Sequence, residues 1–115
     1  MNAAELSHFC LSLPGVREDL KWGQNRIFSV ADTKMFALID LKDNSCAFKV
    51  EDDLFLGFCD RPGFHPSPYL ARAHWISLDF PYALQDEELR ELIRQSHQLV
   101  VRKLPRRLQP GLLLP

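Results

Sequence analysis

The residues of this chain best equipped for chemistry are four histidines, His8, His65, His74 and His97, and three cysteines, Cys10, Cys46 and Cys59. Imidazole and thiolate are the usual ligands of zinc, yet no pair here stands at C-x-x-C, H-x-x-x-H or H-E-x-x-H spacing. A Cys–His nucleophile pair needs no fixed spacing, but no G-x-S-x-G elbow accompanies it. The glycines at 15, 23, 57, 63 and 111 are too scattered to cradle a phosphate. Glu51, Asp52 and Asp53 stand together, and acids at the start of a short helix favour its macrodipole, which explains them without a cation. No metal, no cofactor and no enzyme activity are expected; a minor catalytic reading would rest on Cys59 or His97.

The second chemistry the residues offer is anion recognition. Trp22 follows Lys21, Tyr69 sits in Pro68-Tyr69-Leu70, and Arg72 precedes Trp75 by three residues. Aromatic rings beside cations stack on bases and hold phosphates, although packing a small core is the plainer use of such rings. Charge is segregated along the chain. Residues 51–60 and 78–92 each carry −4, whereas residues 93–107 carry +5. Carboxylates suit helix N-termini and cations suit C-termini, but Arg106 and Arg107 lie beyond Pro105 and escape that explanation. Arg94, Arg102, Lys103, Arg106 and Arg107 form a candidate phosphate-contacting patch.

The elements that must position these groups follow from spacing. Asn2 with Glu5 is a capping box, and Leu6, Phe9, Cys10 and Leu13 continue it as an amphipathic helix to about Ser12. Pro14-Gly15 ends it, and Arg17 to Asn25 reads as a polar connection. Arg26–Ala31, Lys34–Asp40 and Cys46–Val50 read as strands joined by turns at Asp32-Thr33 and Lys42–Ser45, an antiparallel meander. A short helix with Leu54, Phe55 and Phe58 on its buried side covers it, and Cys59 or Asp60 closes that helix. Residues 61–68 hold three prolines and read as a stiff loop. His74–Phe80 alternates as a fourth strand, with Ile76, Leu78 and Phe80 on one face. Asp86 is expected to cap a final helix that lays Leu89, Leu92, Ile93, Ser96, Val100 and Leu104 along one face until Pro105. The cysteines are expected to be reduced, small core residues.

Length and composition set the frame. At 115 residues, 46% apolar and 25% charged, the chain is sized for one soluble α+β domain. Its net charge of −1 excludes a protein that coats nucleic acid by bulk charge. No run approaches the roughly 18 apolar residues of a membrane span, and the N-terminus lacks the pattern of a secretory signal, so a cytoplasmic protein is expected. Residues 1–107 are read as the domain and 108–115 as a tail.

The ordered set Trp22-Gly23, Lys34-Met35-Phe36-Ala37, Phe48-Lys49-Val50, Pro68-Tyr69-Leu70, Trp75-Ile76-Ser77-Leu78, Ser96-His97 and Lys103-Leu104-Pro105 resembles the MmcQ/YjbR-like family, from about Leu6 to Arg107. The resemblance implies an α+β fold in which an antiparallel sheet packs against N-terminal and C-terminal helices. It also implies a double-wing arrangement akin to the CyaY-like, frataxin-like group. It implies a small bacterial protein that binds DNA through the hairpins and the strand flanking them. On this chain that face would carry Lys34 at the first turn, Lys42 in the second, Lys49 on the third strand and Arg72 before the fourth, assisted by the C-terminal basic group. A monomer is expected. The alternative is a module for a small acidic ligand or a protein partner, held near Trp22, Tyr69, Arg72, Trp75 and Lys103.

Overall fold

A computed structural model describes all residues, 1–115. Helix α1 spans Ala3–Ser12 and begins on the expected capping box: the Asn2 side chain accepts the Glu5 amide, and the Glu5 side chain accepts the Asn2 amide. Strands β1 (Arg17–Lys21), β2 (Asn25–Val30), β3 (Lys34–Asp40) and β4 (Cys46–Lys49) follow as a meander of four strands rather than three. The added strand is the segment read as a polar connection. Arg17–Lys21 pairs with β2 as an outer strand, and charged side chains are tolerated there because only one edge is paired and little is buried. The β2–β3 hairpin turns through Ala31 and Asp32, both with positive φ, the geometry that matches strand twist.

A one-turn 3-10 segment at Asp52–Leu54 leads into α2 (Phe55–Cys59). Phe55 and Phe58 pack against the core as expected, but Leu54 is exposed, because the chain enters α2 one turn later than the acidic run suggests. The proline-rich stretch is not all loop: β5 (Phe64–Pro66) pairs with β6 (Trp75–Leu78), placing its proline on an edge strand. The sheet is antiparallel throughout, in the order β1-β2-β3-β4-β6-β5. Phe80, expected on the inner face of this strand, lies past its end and is exposed.

Helix α3 (Asp86–Arg102) crosses the sheet. Its N-cap is Gln85; Asp86 is already helical and pairs with the N-terminal amine at 2.9 Å. Leu89, Leu92, Ile93 and Ser96 are buried as expected, but His97 and Val101 fill the face in place of the half-buried Val100. The main core joins α1 and its C-cap (Leu6, Cys10, Leu13), one sheet face (Phe28, Phe36, Ala37, Phe48, Ile76, Leu78) and α3. Adjacent Phe36 and Ala37 both reach it because the β2–β3 register shifts after Phe28, where Ala37 pairs with Phe28 but Met35 with Ser29. The extra residue turns two neighbouring side chains inward. Ile27, Ala47 and Trp75, buried but outside this cluster, belong to the opposite face.

The leucine-rich tail docks. A 3-10 turn at Arg106–Leu108 lets the Gln109 amide donate to the carbonyls of Arg102 (3.3 Å) and Leu104 (2.9 Å), capping the end of α3. Leu112 and Leu114 then pack against the core.

Candidate functional site

Antiparallel register decides which of the candidate cations meet. Lys34 opens β3, Lys49 closes β4, and Lys49 lies directly opposite Trp75 at the start of β6. All three therefore sit at one end of the sheet. Helix α3 reaches that end with its C-terminus, and Lys34, Lys49, Trp75, Val100, Lys103 and Leu104 line a shared recess of about 370 Å³. Lys49 is the most constrained of them. Its amide donates to Ser96 Oγ at 2.9 Å and its Nζ donates to the Ala73 carbonyl at 2.5 Å. Burial, and then the positive charge of Lys103, lower its pKa below the usual lysine value, against a smaller opposing pull from Asp52. Two ammonium groups close enough to repel form a site that favours an anion between them.

Arg72 lies exposed on the 3-10 turn Ala71–Ala73, next to the carbonyl that Lys49 holds. Arg102, Arg106 and Arg107 are exposed around the end of α3 and its following turn. None of these groups has a carboxylate partner: five of the fourteen lysines and arginines are ion-paired, namely Arg17, Arg26, Arg61, Arg90 and Arg94. Asp52, whose charge pulls on Lys49, pairs with His74 Nδ1 at 2.7 Å.

Two expected members fall outside. Lys42 lies in the β3–β4 turn, at the opposite end of the sheet from Lys34, because consecutive turns of a meander alternate ends. Arg94 is held by Glu87 (3.3 Å) and Glu91 (3.1 Å) and lies over the Phe9 ring at 5.2 Å, so its charge is spent within the fold.

The aromatic group also divides. Trp75 is 4% exposed and walls the basic recess, so it has no free face for a base. Trp22 and Tyr69, 66% and 103% exposed, line a different cavity with Asp40, Asp43, His65 and Asp79. His65 is among the histidines that the sequence marks as equipped for chemistry, and the three aspartates carry no signal there as a group; the strand order and register bring the four together.

Cys59 and His97 are set for no joint chemistry. His97 is fully buried, its Nε2 donating to the Pro14 carbonyl at 2.9 Å and its Nδ1 accepting from Gln98 at 2.9 Å, which fixes a neutral ring. Burial lowers its pKa. The Cys59 thiol is pushed up by burial and by the charge of Asp60, away from a reactive thiolate. No group of three or more His, Cys, Asp or Glu gathers around a metal position, and no helix is long and apolar enough to cross a membrane.

Against known proteins, the YjbR family model matches residues 11–99. A crystal structure of a Deinococcus radiodurans protein of the DUF419 domain family superposes with TM-score 0.86 at 24% identity, covering 99% of this chain and 89% of that one. A Pseudomonas syringae protein superposes with TM-score 0.73 at 22% identity, covering 87% and 99%. At such identities these structures share the fold. No curated protein matches the chain.

Proposed function

The chain belongs to the YjbR family, and on that footing we propose that it is a cytoplasmic nucleic-acid-binding module without catalytic activity, holding DNA phosphates at the basic end of its sheet. In this double-wing reading the β2–β3 hairpin turn is the wing that approaches the duplex, with Lys34 at its base. One observation carries the proposal: seven of the nine lysines and arginines that lack a carboxylate partner, Lys34, Lys49, Arg72, Arg102, Lys103, Arg106 and Arg107, belong to this end or to the helix terminus that meets it. Four carboxylates share this end, Asp32 in the β2–β3 turn and Glu51, Asp52 and Asp53 just after β4, but Asp32 meets Arg17 at 3.7 Å and Asp52 meets His74 at 2.7 Å, so the seven cations are in excess there. A net charge of −1 is thus compatible with a one-faced polyanion binder.

Phosphate binding releases counterions, so neutralising about four phosphates gives a slope of log affinity against log salt of about −3 to −4. Fluorescence anisotropy of a labelled duplex over a salt series measures it. Replacing Lys34, Lys49 and Lys103 by Gln together should cut the slope by about 3, while Lys42→Gln leaves it unchanged. Absence of duplex binding at low ionic strength, or a flat salt response, overturns the proposal. If a small polyanion such as inorganic triphosphate binds with the same lysine dependence and duplex does not, the recess serves a small acidic ligand instead.

A further inference from the structure

The face of the sheet opposite the helices carries a cavity larger than the lysine recess, about 740 Å³, within the size range of small-molecule sites. Leu38 and Ser77 contribute from the strands, and the Pro66–Leu70 segment from one side. Trp22 and Tyr69 line it as well. Large aromatic side chains left unsheltered by their own fold are the usual contact groups of a binding site. We propose that this cavity binds a small organic cation, an ammonium group carried on an apolar or aromatic body.

The lining decides the sign of the ligand. Ring faces carry negative quadrupole potential and attract cations, most strongly when the cation is shed of water. Three carboxylates, Asp40, Asp43 and Asp79, share the cavity, and none is paired with a lysine or arginine. Each is held locally: Asp40 accepts the Lys42 amide at 2.8 Å, Asp43 accepts the Ser45 amide at 2.9 Å and is further held by the Ser45 hydroxyl, and Asp79 meets His65 Nε2 at 2.7 Å. His65 is the one basic residue of the lining, and Lys42 flanks it from the adjoining turn. An acidic ligand, the sequence-based alternative for Trp22 and Tyr69, would face three carboxylates here. The three carboxylates lie toward the opposite end of the sheet from the lysine recess, while the Ser67–Leu70 wall reaches Trp75 of that recess (Ser67 amide to Trp75 carbonyl 3.0 Å, Trp75 amide to Leu70 carbonyl 3.3 Å); the cation is assigned to the carboxylate end, and the inference stands without the proposed function.

The two tryptophans supply the experiment. In a nitrogen-15 correlation spectrum each indole N–H gives one resonance, assigned with the Trp22→Phe variant; Trp22 lines the cavity and is exposed, whereas Trp75 is buried and does not line it. Titration with benzyltrimethylammonium should move the Trp22 resonance saturably and by more than that of Trp75, which touches the cavity only through its backbone bonds to Ser67 and Leu70. Neopentylbenzene, its neutral isostere, and benzoate should not move either. Tyr69→Ala and Asp79→Asn, both at exposed side chains, should each raise the dissociation constant about tenfold, followed through the Trp22 resonance. The inference is overturned if the cation produces no saturable shift, if the neutral isostere binds as well, or if both variants retain the parent affinity.

Discussion

Ser96 donates its hydroxyl hydrogen to the carbonyl of Phe36 at 2.6 Å, across 60 residues of chain. The same oxygen accepts the Lys49 amide at 2.9 Å, so one side chain of α3 spans β3 and β4 where their ladder stops after Ala37 and Phe48. The register shift that turns both Phe36 and Ala37 inward leaves this carbonyl and this amide without a strand partner, and Ser96, fully buried, satisfies them. Ser96→Ala should therefore cost about 1–3 kcal/mol, the penalty for orphaned buried polar groups rather than for lost contact area. Urea denaturation reads it, and a loss below about 0.5 kcal/mol would show that strand backbone, not the hydroxyl, closes the gap.

Gly15 should be just as sensitive, for a different reason. It has φ +71°, and a Cβ at this position would overlap Leu112 Cδ2 of the docked tail. Gly15→Ala pays twice: about 1–2 kcal/mol for a left-handed alanine, and a further cost for displacing the tail. In a Leu112→Ala background only the backbone cost should remain. A double-mutant cycle on thermal or urea unfolding separates the two, and full additivity would refute the contact between them.

The buried His97 makes stability depend on pH with a definite sign. Its folded pKa is lowered by burial, so in the window between that value and the ordinary value near 6.5 the unfolded chain binds the proton more readily. Its contribution is complete above that ordinary value and is lost as pH falls toward the folded one. Protonation also turns Nδ1 into a donor facing the Gln98 amide, whose Nε2 donates to the Leu112 carbonyl at 3.0 Å and whose oxygen accepts the Leu114 amide at 3.1 Å. His97→Gln should destabilise the protein most at about pH 8, with the gap to wild type narrowing toward about pH 5; comparing the two proteins cancels the other three histidines. A gap constant across that range would contradict the assignment.

What could be read before the structure follows physical rules. Helices α1 and α3 announce themselves because caps and a 3.6-residue apolar period are local signals, and β3 because its apolar run is uninterrupted. Arg17–Lys21 hides because an edge strand buries too little to show alternation, and Phe64–Pro66 because three residues ending in proline resemble a loop. His97 was legible, one helical turn beyond Ile93, but a buried histidine contradicts the composition rule for cores and depends on Pro14 and Gln98, which no local window includes. The separation of Lys42 from Lys34 was derivable from the meander itself. The meeting of Lys49 with Lys103, and of Trp22 with Asp79, needs the strand order, which places β6 between β4 and β5.

The three cysteines should differ sharply in reactivity, because the thiolate is the attacking species and needs both exposure and deprotonation. Cys10 and Cys46 are 0% and 1% exposed. Burial pushes the Cys10 thiol up to about 12 and raises that of Cys46 as well, with the neighbouring Cys10 adding to the latter. Cys59 sits on α2 and is half-buried; burial and Asp60 raise it too, so it should react more slowly than a free thiol. A chromogenic disulfide reagent should titrate one thiol in the native protein and three in denaturant. Substituting Cys59 by Ser should abolish the native signal, and the remaining two should become reactive only at the rate at which the core opens, rising with urea. Rapid reaction of more than one native thiol would mean that α1 leaves β4 uncovered far more often than a core formed by Leu6, Phe36 and Ile93 permits.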